Sequence, residues 1–355
     1  IDPFADEDLR AVAETTRTSG EPREILEAAA RYPGLPLVYS GGIENYPELI
    51  DALSQGRPLA GNSADVVRSV RDPVQVVETL RGSRLPHLDV RAADNPPPAD
   101  GAWLLKPLQS GGGLGIVPWT PEAADAPTLS RPHYFQQFAA GASYSALFVA
   151  RESVGDVRFV GVTEQLVGDQ RCGAVGFAWC GNIGPVALPV EVESVIRRIG
   201  NFLKWKFHLR GLFGLDFVVT PDKQVRLTEI NPRYPASVEI LEFATGLNLM
   251  LEHCLCFADV PGEPPPVAWS PLPRAVLGKA IIYARERAAV QFRLSFASDG
   301  YANWPRYSDV PAAGTVVPPG APILTVTALG EDVHTCRSNL FAAAEAVFGR
   351  PREQA

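Results

Sequence analysis

Apolar residues in this chain alternate between a helical rhythm and short strand-like runs, and the changes of rhythm mark out its parts. Residues 21–31, EPREILEAAAR, combine helical spacing with good helix formers. Residues 37–39 are a short apolar run. They are followed by a glycine-bearing turn, Ser40-Gly41-Gly42-Ile43-Glu44-Asn45, and by a helix in PELIDALSQG. Strand, glycine turn and helix in succession predict a parallel α/β layer. Gly41-Gly42 reads equally as a ligand-facing turn or as a tight connection, and it is not the GxGxxG of a dinucleotide site. A second unit begins at Leu59-Ala60-Gly61, with Asn62 or Ser63 as helix cap. Asp72-Pro73-Val74 opens another helix with proline in its first turn.

Beyond a polar, proline-rich connector at 94–98, strand-like runs dominate, at 103–107, 133–138, 144–149, 159–167 and 174–179. Residues 189–209 form an amphipathic helix with Val192, Val195, Ile196, Ile199, Phe202 and Leu203 on its apolar face. Two further runs, 212–219 and 225–230, flank Pro221-Asp222-Lys223-Gln224, residues suited to a tight turn, and predict a hairpin. Helices at 237–243 and 249–257 precede a second proline-rich stretch, 261–273. The remainder, with strands at 276–284 and 322–326 and a helix at 337–348, is mostly β. The two proline-rich stretches divide the chain into 1–95, 96–262 and 263–355.

A chain of 355 residues is long enough for two or three domains, and 46% hydrophobic with 20% charged residues suits a globular protein. The net charge of −8 argues against nucleic-acid and anionic-membrane partners. No apolar run reaches the roughly 18–20 residues of a membrane span, and no signal peptide is visible. The five cysteines have no framework or zinc spacing, so buried thiols and a cytoplasmic location are expected. The chain opens at Ile1 on what reads as a strand tail, so a first strand and helix are expected ahead of it. Lysine is scarce: it occurs only at positions 106, 204, 206, 223 and 279.

That scarcity draws attention to Lys106, at the end of the 103–107 strand and just before Ser110-Gly111-Gly112-Gly113-Leu114-Gly115. Glycines let backbone N–H groups approach phosphate oxygens, and a lysine adds a point charge. The Gly-Lys-Ser/Thr of a Walker A loop is missing. The hairpin supplies the complementary chemistry. If Thr220 pairs with Val225, Asp216 falls opposite Glu229, and Asn231 shares the face of Glu229. Opposed residues have Cβ atoms about 4.5–5.5 Å apart, where like charges destabilise. Two carboxylates and a carboxamide there call for a hard cation such as Mg²⁺. Without metal, Glu229→Gln is expected to stabilise the hairpin by removing one of two facing charges.

Asp216, the run Glu229-Ile230-Asn231-Pro232-Arg233, Lys106 and the glycine loop together resemble the ATP-grasp superfamily, in the branch of predicted ATP-dependent carboligases related to biotin carboxylase. The likeness runs from Pro36 to the C-terminus. It implies an α/β chain (an α+β ATP-grasp fold) with an N-terminal parallel α/β domain, a two-lobed ATP-grasp domain and a small, mostly β C-terminal lobe. It also implies that Asp216, Glu229 and Asn231 hold one or two Mg²⁺ ions on ATP, and that Lys106, Ser110, Gly111, Gly112 and Gly113 bind its phosphates. Gln136, Gln137 and Phe138 would lie along the adenine. Arg233, with Lys106, would stabilise a phosphorylated intermediate.

The chain departs from the family pattern in two places. Pro73 stands where relatives carry a nucleotide-binding lysine, with Arg71 nearby as the candidate substitute. Gln136 stands where they carry glutamate. The implied activity is an ATP-dependent carboxylate–amine ligase working through an acyl phosphate. Its partners would be small carboxylates and amines, and a homodimer is compatible with it. Two alternatives stand beside it. One is a bicarbonate-activating carboxylase, whose base would occupy the position of Ser237, two residues before Glu239. The other is a nucleotide-binding regulatory protein without turnover.

Overall fold

The computed structural model describes residues 1–124, 131–151, 155, 157–257, 275–290, 305–348 and 353–354. The proline-rich stretch 261–273, expected as a boundary, lies outside the described residues. The N-terminal part contains five helices: α1 (Glu7–Val12), α2 (Pro22–Ala29), α3 (Pro47–Ser54), α4 (Ala64–Arg71) and α5 (Pro73–Gly82). A 3₁₀ turn, Ile43–Asn45, precedes α3. The expected parallel layer is reduced here to the bridge Leu37↔Leu59, with another bridge at Asp2↔Arg17. Pro36 and Pro58 flank the first bridge and bring no N–H to a longer ladder. The bridge itself is well made: the Leu37 N–H donates to Pro58 O and the Ala60 N–H to Leu37 O, both at 2.8 Å. Around it Tyr39, Ile50, Ala64 and Val67 form a small core.

Ser63, not Asn62, caps α4. Asn62 is buried and serves a different purpose. Its Nδ2 donates to Arg210 O at 3.1 Å and to Pro232 O at 2.9 Å, while its Oδ1 accepts from the Arg210 N–H at 2.9 Å. One amide therefore ties the N-terminal part to both ends of the predicted hairpin.

Four antiparallel strands come next: β1 (Val90–Ala92), β2 (Trp103–Pro107), β3 (Val117–Pro118) and, after α6 (Pro121–Ala124), β4 (His133–Gln137). Their order is β1-β4-β2-β3. Leu105, Trp119 and Phe135 fill their core, the last two with ring centroids 4.7 Å apart.

The main sheet begins with β5 (Ala142–Ala150), β6 (Arg158–Val167), β7 (Trp179–Gly184), β8 (Gly211–Val219) and β9 (Val225–Asn231). Helix α7 (Val190–Phe207) lies between β7 and β8, and α8 (Val238–Thr245) and α9 (Leu249–Leu255) follow β9. The stripe on α7 is core, as its spacing predicts: Val192, Ile196, Ile199 and Leu203 are buried. His208 closes that helix in the left-handed conformation, exposed to solvent. The chain continues through β10 (Val276–Tyr283), β11 (Ala288–Ala289), β12 (Tyr307–Ser308), β13 (Val316–Val317), β14 (Pro322–Gly330), α10 (Val333–Phe348) and β15 (Glu353–Gln354). The eight-stranded order is β12-β14-β10-β7-β6-β5-β8-β9, so β10 and β14 extend the same sheet. Helix α10 starts four residues before the predicted position because Asp332 Oδ1 accepts from the Thr335 N–H at 2.7 Å.

The expected strand at 174–179 is a correction. A 3₁₀ turn at Gln170–Cys172 and two positive-φ glycines, Gly173 and Gly176, occupy the approach, and the strand is β7 instead. Gly181 and Gly184 hid it. They are glycines because the neighbouring strands press close: a Cβ at Gly184 would lie 2.7 Å from Thr163 Cγ2. All five cysteines are free thiols.

Candidate active site

The hairpin of β8 and β9 forms, with a register that differs at its turn. Val219, not Thr220, pairs with Val225, and a bulge between Asp216 and Phe217 leaves Thr228 as the extra residue. The two offsets cancel, so Asp216 stands opposite Glu229 and Asn231 opposite Gly214. Asn231 Nδ2 donates to Asp216 Oδ2 at 3.0 Å. Ser145, paired across β5, and Gln165 on β6 also hydrogen-bond to Asp216.

The two carboxyls are driven apart. Burial, then the charge of Glu229, pushes Asp216 up to about 6, against the pull of those hydrogen bonds. Burial would also raise Glu229, but Arg71, Lys106 and Arg233 outweigh it and hold that carboxyl below its usual range.

Lys106 ends β2 facing the hairpin. Its Nζ donates to Gln136 Oε1 at 3.0 Å and lies 5.7 Å from the Tyr134 ring centroid. Burial works against its charge, yet Tyr134 and Glu229 leave the ammonium more basic than an ordinary lysine. Gln136 Nε2 in turn donates to the carbonyl of Thr228, the bulge residue, at 3.2 Å. The bulge thus aims a backbone acceptor across the cleft between the two sheets.

The glycine loop covers this cleft. Gly112 O accepts from the Trp179 N–H at 2.8 Å. Gly113 has φ +73°, and a Cβ there would collide with the Phe177 carbonyl, so only glycine fits. Lys106, Ser110, Gly111, Gly113, Gln136 and Glu229 line one cavity of about 70 Å³. Gly112 faces Trp179 instead. Gln137 and Phe138 are not brought to this cavity. Their N–H groups already donate to Asp89 O at 2.8 Å and Ala102 O at 2.9 Å, and the Phe138 ring meets Phe177 edge-on at 6.2 Å.

Arg233 stands on the far side of Asn231. Its Nη2 donates to Asn231 Oδ1 at 3.2 Å, and its Nε donates to Glu44 Oε1 at 2.9 Å. Glu44 is only 2% exposed, and its second oxygen has no hydrogen-bond partner among the described residues. Gly41 provides room for this pair, since a Cβ there would lie 3.5 Å from the guanidinium. Glu44 and Arg71 also border a second, larger cleft of about 660 Å³, which shares Arg71, Pro73, Leu108 and Tyr134 with the first.

Two partnerships escaped sequence reasoning. Glu44 appears there only as part of a glycine turn. Arg71, at the end of α4, is ion-paired with Glu229 and donates to Asn45 Oδ1 at 2.9 Å and to Ser110 O at 3.2 Å. Ser145 and Gln165 carried no signal beyond strand patterning.

Among the described residues, no group of three or more His, Cys, Asp or Glu side chains converges as a metal cage. The hairpin offers two carboxylates, the number Mg²⁺ commonly takes from protein when phosphate oxygens complete its shell. The donor set therefore fits that ion. Among the described residues, no helix is long and apolar enough to cross a membrane.

Comparison with known proteins follows the same lines. No curated protein matches the sequence. Among solved structures, carboxyaminoimidazole ribonucleotide synthase from Aspergillus clavatus, complexed with ATP, is similar at TM-score 0.68 and 15% identity, over 98% of this chain and 91% of that one. L-amino acid ligase from Bacillus licheniformis is similar at TM-score 0.64 and 13% identity, over 92% and 84%. The biotin carboxylase domain of 2-oxoglutarate carboxylase from Hydrogenobacter thermophilus, with MgADP, ADP and bicarbonate, is similar at TM-score 0.64 and 13% identity, over 86% and 72%. At these identities the likeness establishes the fold. A family model described as the ATP-grasp domain matches residues 70–237, so that segment, which spans both carboxylates, Lys106 and Arg233, is similar to ATP-grasp domains.

Proposed function

We propose that the chain is an ATP-dependent carboxylate–amine ligase. The observation that carries this reading is the placement of the opposed Asp216 and Glu229 between Lys106 and Arg233, with Lys106 and Glu229 lining one cavity. Phosphoryl transfer needs mainly positioning and neutralisation of charge, which this arrangement supplies. Lys106 and the loop residues Ser110, Gly111 and Gly113 would hold phosphate oxygens. Asp216, Glu229 and Asn231 would hold Mg²⁺, which when bound neutralises charge developing on the transferred group.

The γ-phosphoryl group of ATP passes to the substrate carboxylate and ADP leaves. The amine nitrogen then attacks the acyl carbon: the C–N bond forms, the C–O bond to phosphate breaks, the nitrogen's surplus proton passes to the departing phosphate or to solvent, and Arg233 stabilises the departing charge.

The carboxylase alternative is less well supported by the residues present. Ser237 occupies the position of its base and is buried, with Oγ lacking a hydrogen-bond partner among the described residues, while Glu239 is ion-paired with Lys279 at 2.6 Å. The test is ADP release from ATP·Mg²⁺ in the presence of pooled carboxylates and amines, or of bicarbonate. Stimulation that requires both a carboxylate and an amine is expected. Stimulation by bicarbonate alone would make the protein a carboxylase, and ATP binding without ADP release under any condition would refute turnover.

A further inference from the structure

The residue with the widest reach in the site is one the family pattern does not supply. Arg71 is 14% exposed, and its guanidinium spans three segments: it pairs with Glu229 on β9, donates to Asn45 Oδ1 in the 3₁₀ turn, and donates to Ser110 O in the glycine loop. It stands where a cation is required, against one of two facing carboxylates. It also borders the cavity, whose volume of about 70 Å³ falls far below the roughly 300–1,000 Å³ of ligand pockets. The guanidinium occupies one oxygen of Glu229 and part of the space beside it.

From this geometry we infer that Arg71 is an internal substitute for the metal, which nucleotide and Mg²⁺ displace from Glu229, and that it then binds the nucleotide phosphates itself. The inference rests on the ATP-binding reading and deepens it. A guanidinium released from a carboxylate finds its best replacement partner in a phosphate, because both accept the same bidentate fork. The position is suitable: Arg71 ends α4 two residues before Pro73, and both line the cavity with Lys106 and the glycine loop. The exchange couples two events. Giving up Ser110 O frees the loop to close on phosphate while Glu229 becomes available to the ion.

The proposal makes opposite predictions for metal and for nucleotide. In the wild type, Mg²⁺ without nucleotide leaves the melting temperature unchanged, because Arg71 already neutralises Glu229. In Arg71→Met, Mg²⁺ alone raises it, because two facing carboxylates are left without a cation. In the same variant ATP·Mg²⁺ binds about tenfold more weakly or worse by calorimetry, since charge-assisted phosphate contacts are gone. If Arg71→Met does not fold, Arg71→Lys is measured in its place. It keeps the charge but not the fork, and should bind ATP·Mg²⁺ several-fold more weakly.

Wild-type affinity for ATP·Mg²⁺ in a folded variant, or the same response to Mg²⁺ alone in wild type and Arg71→Met, overturns the role of Arg71 and leaves the ligase reading standing. Failure of the wild type to bind ATP·Mg²⁺ at all overturns both.

Discussion

Glu229→Gln is the substitution for which hairpin geometry and full structure disagree in sign. Two facing acids taken alone imply that the change stabilises the metal-free protein. The structure reverses this, because Glu229 also neutralises Arg71. Consider first the relief at Asp216. Its carboxyl is raised from 3.8 to about 6, and at 1.36 kcal/mol per unit that is ~3 kcal/mol. Burial is the larger cause and Glu229 the second, so removing the Glu229 charge recovers ~1 kcal/mol of it. Against this stands a guanidinium left without its carboxylate.

Breaking a fully buried pair costs about 3–5 kcal/mol. Here the side chains are 14% and 34% exposed, which favours the lower end of that range. The net expectation is a loss of ~2 kcal/mol. Urea unfolding in chelator at a pH above 6 measures it directly. Arg71→Met combined with Glu229→Gln should recover most of the loss, since neither partner is then stranded. A Glu229→Gln protein as stable as the wild type, or more stable, would refute the claim that the Arg71 pair outweighs the repulsion.

Two further outcomes can be measured. Lys106→Ala leaves Gln136 Oε1 without its donor, and should cost ~1–3 kcal/mol of stability while weakening ATP·Mg²⁺ binding at least several-fold. Unchanged calorimetric affinity would remove Lys106 from the site. His253 accepts from the Leu212 N–H through Nδ1 at 2.9 Å and reaches Ala60 O through Nε2 at 3.0 Å, which fixes a neutral ring. Burial depresses its pKa despite the Ala60 contact, so its contribution is complete above the unfolded value of 6.5 and is lost as pH falls below it. An imidazole that titrates at or above 6.5 in the folded protein would contradict this.

Local pattern revealed the elements that carry the site, and it failed where residues depend on distant partners. The strand holding Lys106 runs from Trp103 to Pro107 as its apolar run indicates, and the stripe on α7 is core as its spacing indicates. The Asp216–Glu229 pairing was reached from a turn register that is off by one. The bulge at Thr228 restored it, and no sequence period announces a bulge. Strand β7 was invisible because its glycines answer to neighbours on β6 and β10 rather than to strand propensity.

The remaining losses are of one kind. Arg71 and Glu229 are 158 residues apart, and Glu44 and Arg233 are 189 apart, so no window on the sequence contains either pair. Each links the N-terminal part to the hairpin, and Asn62 adds a third link through Arg210 and Pro232. Before these segments dock, Glu229 has no Arg71, Arg233 has no Glu44, and the two facing acids have only Lys106 and Arg233 to offset them. The charge balance that would make the site receptive to a nucleotide is therefore a property of the docked chain. It cannot be assigned to residues 70–237 alone, although every family motif lies within them. Glu44 and Asn45, outside that segment, set the positions of the two arginines inside it.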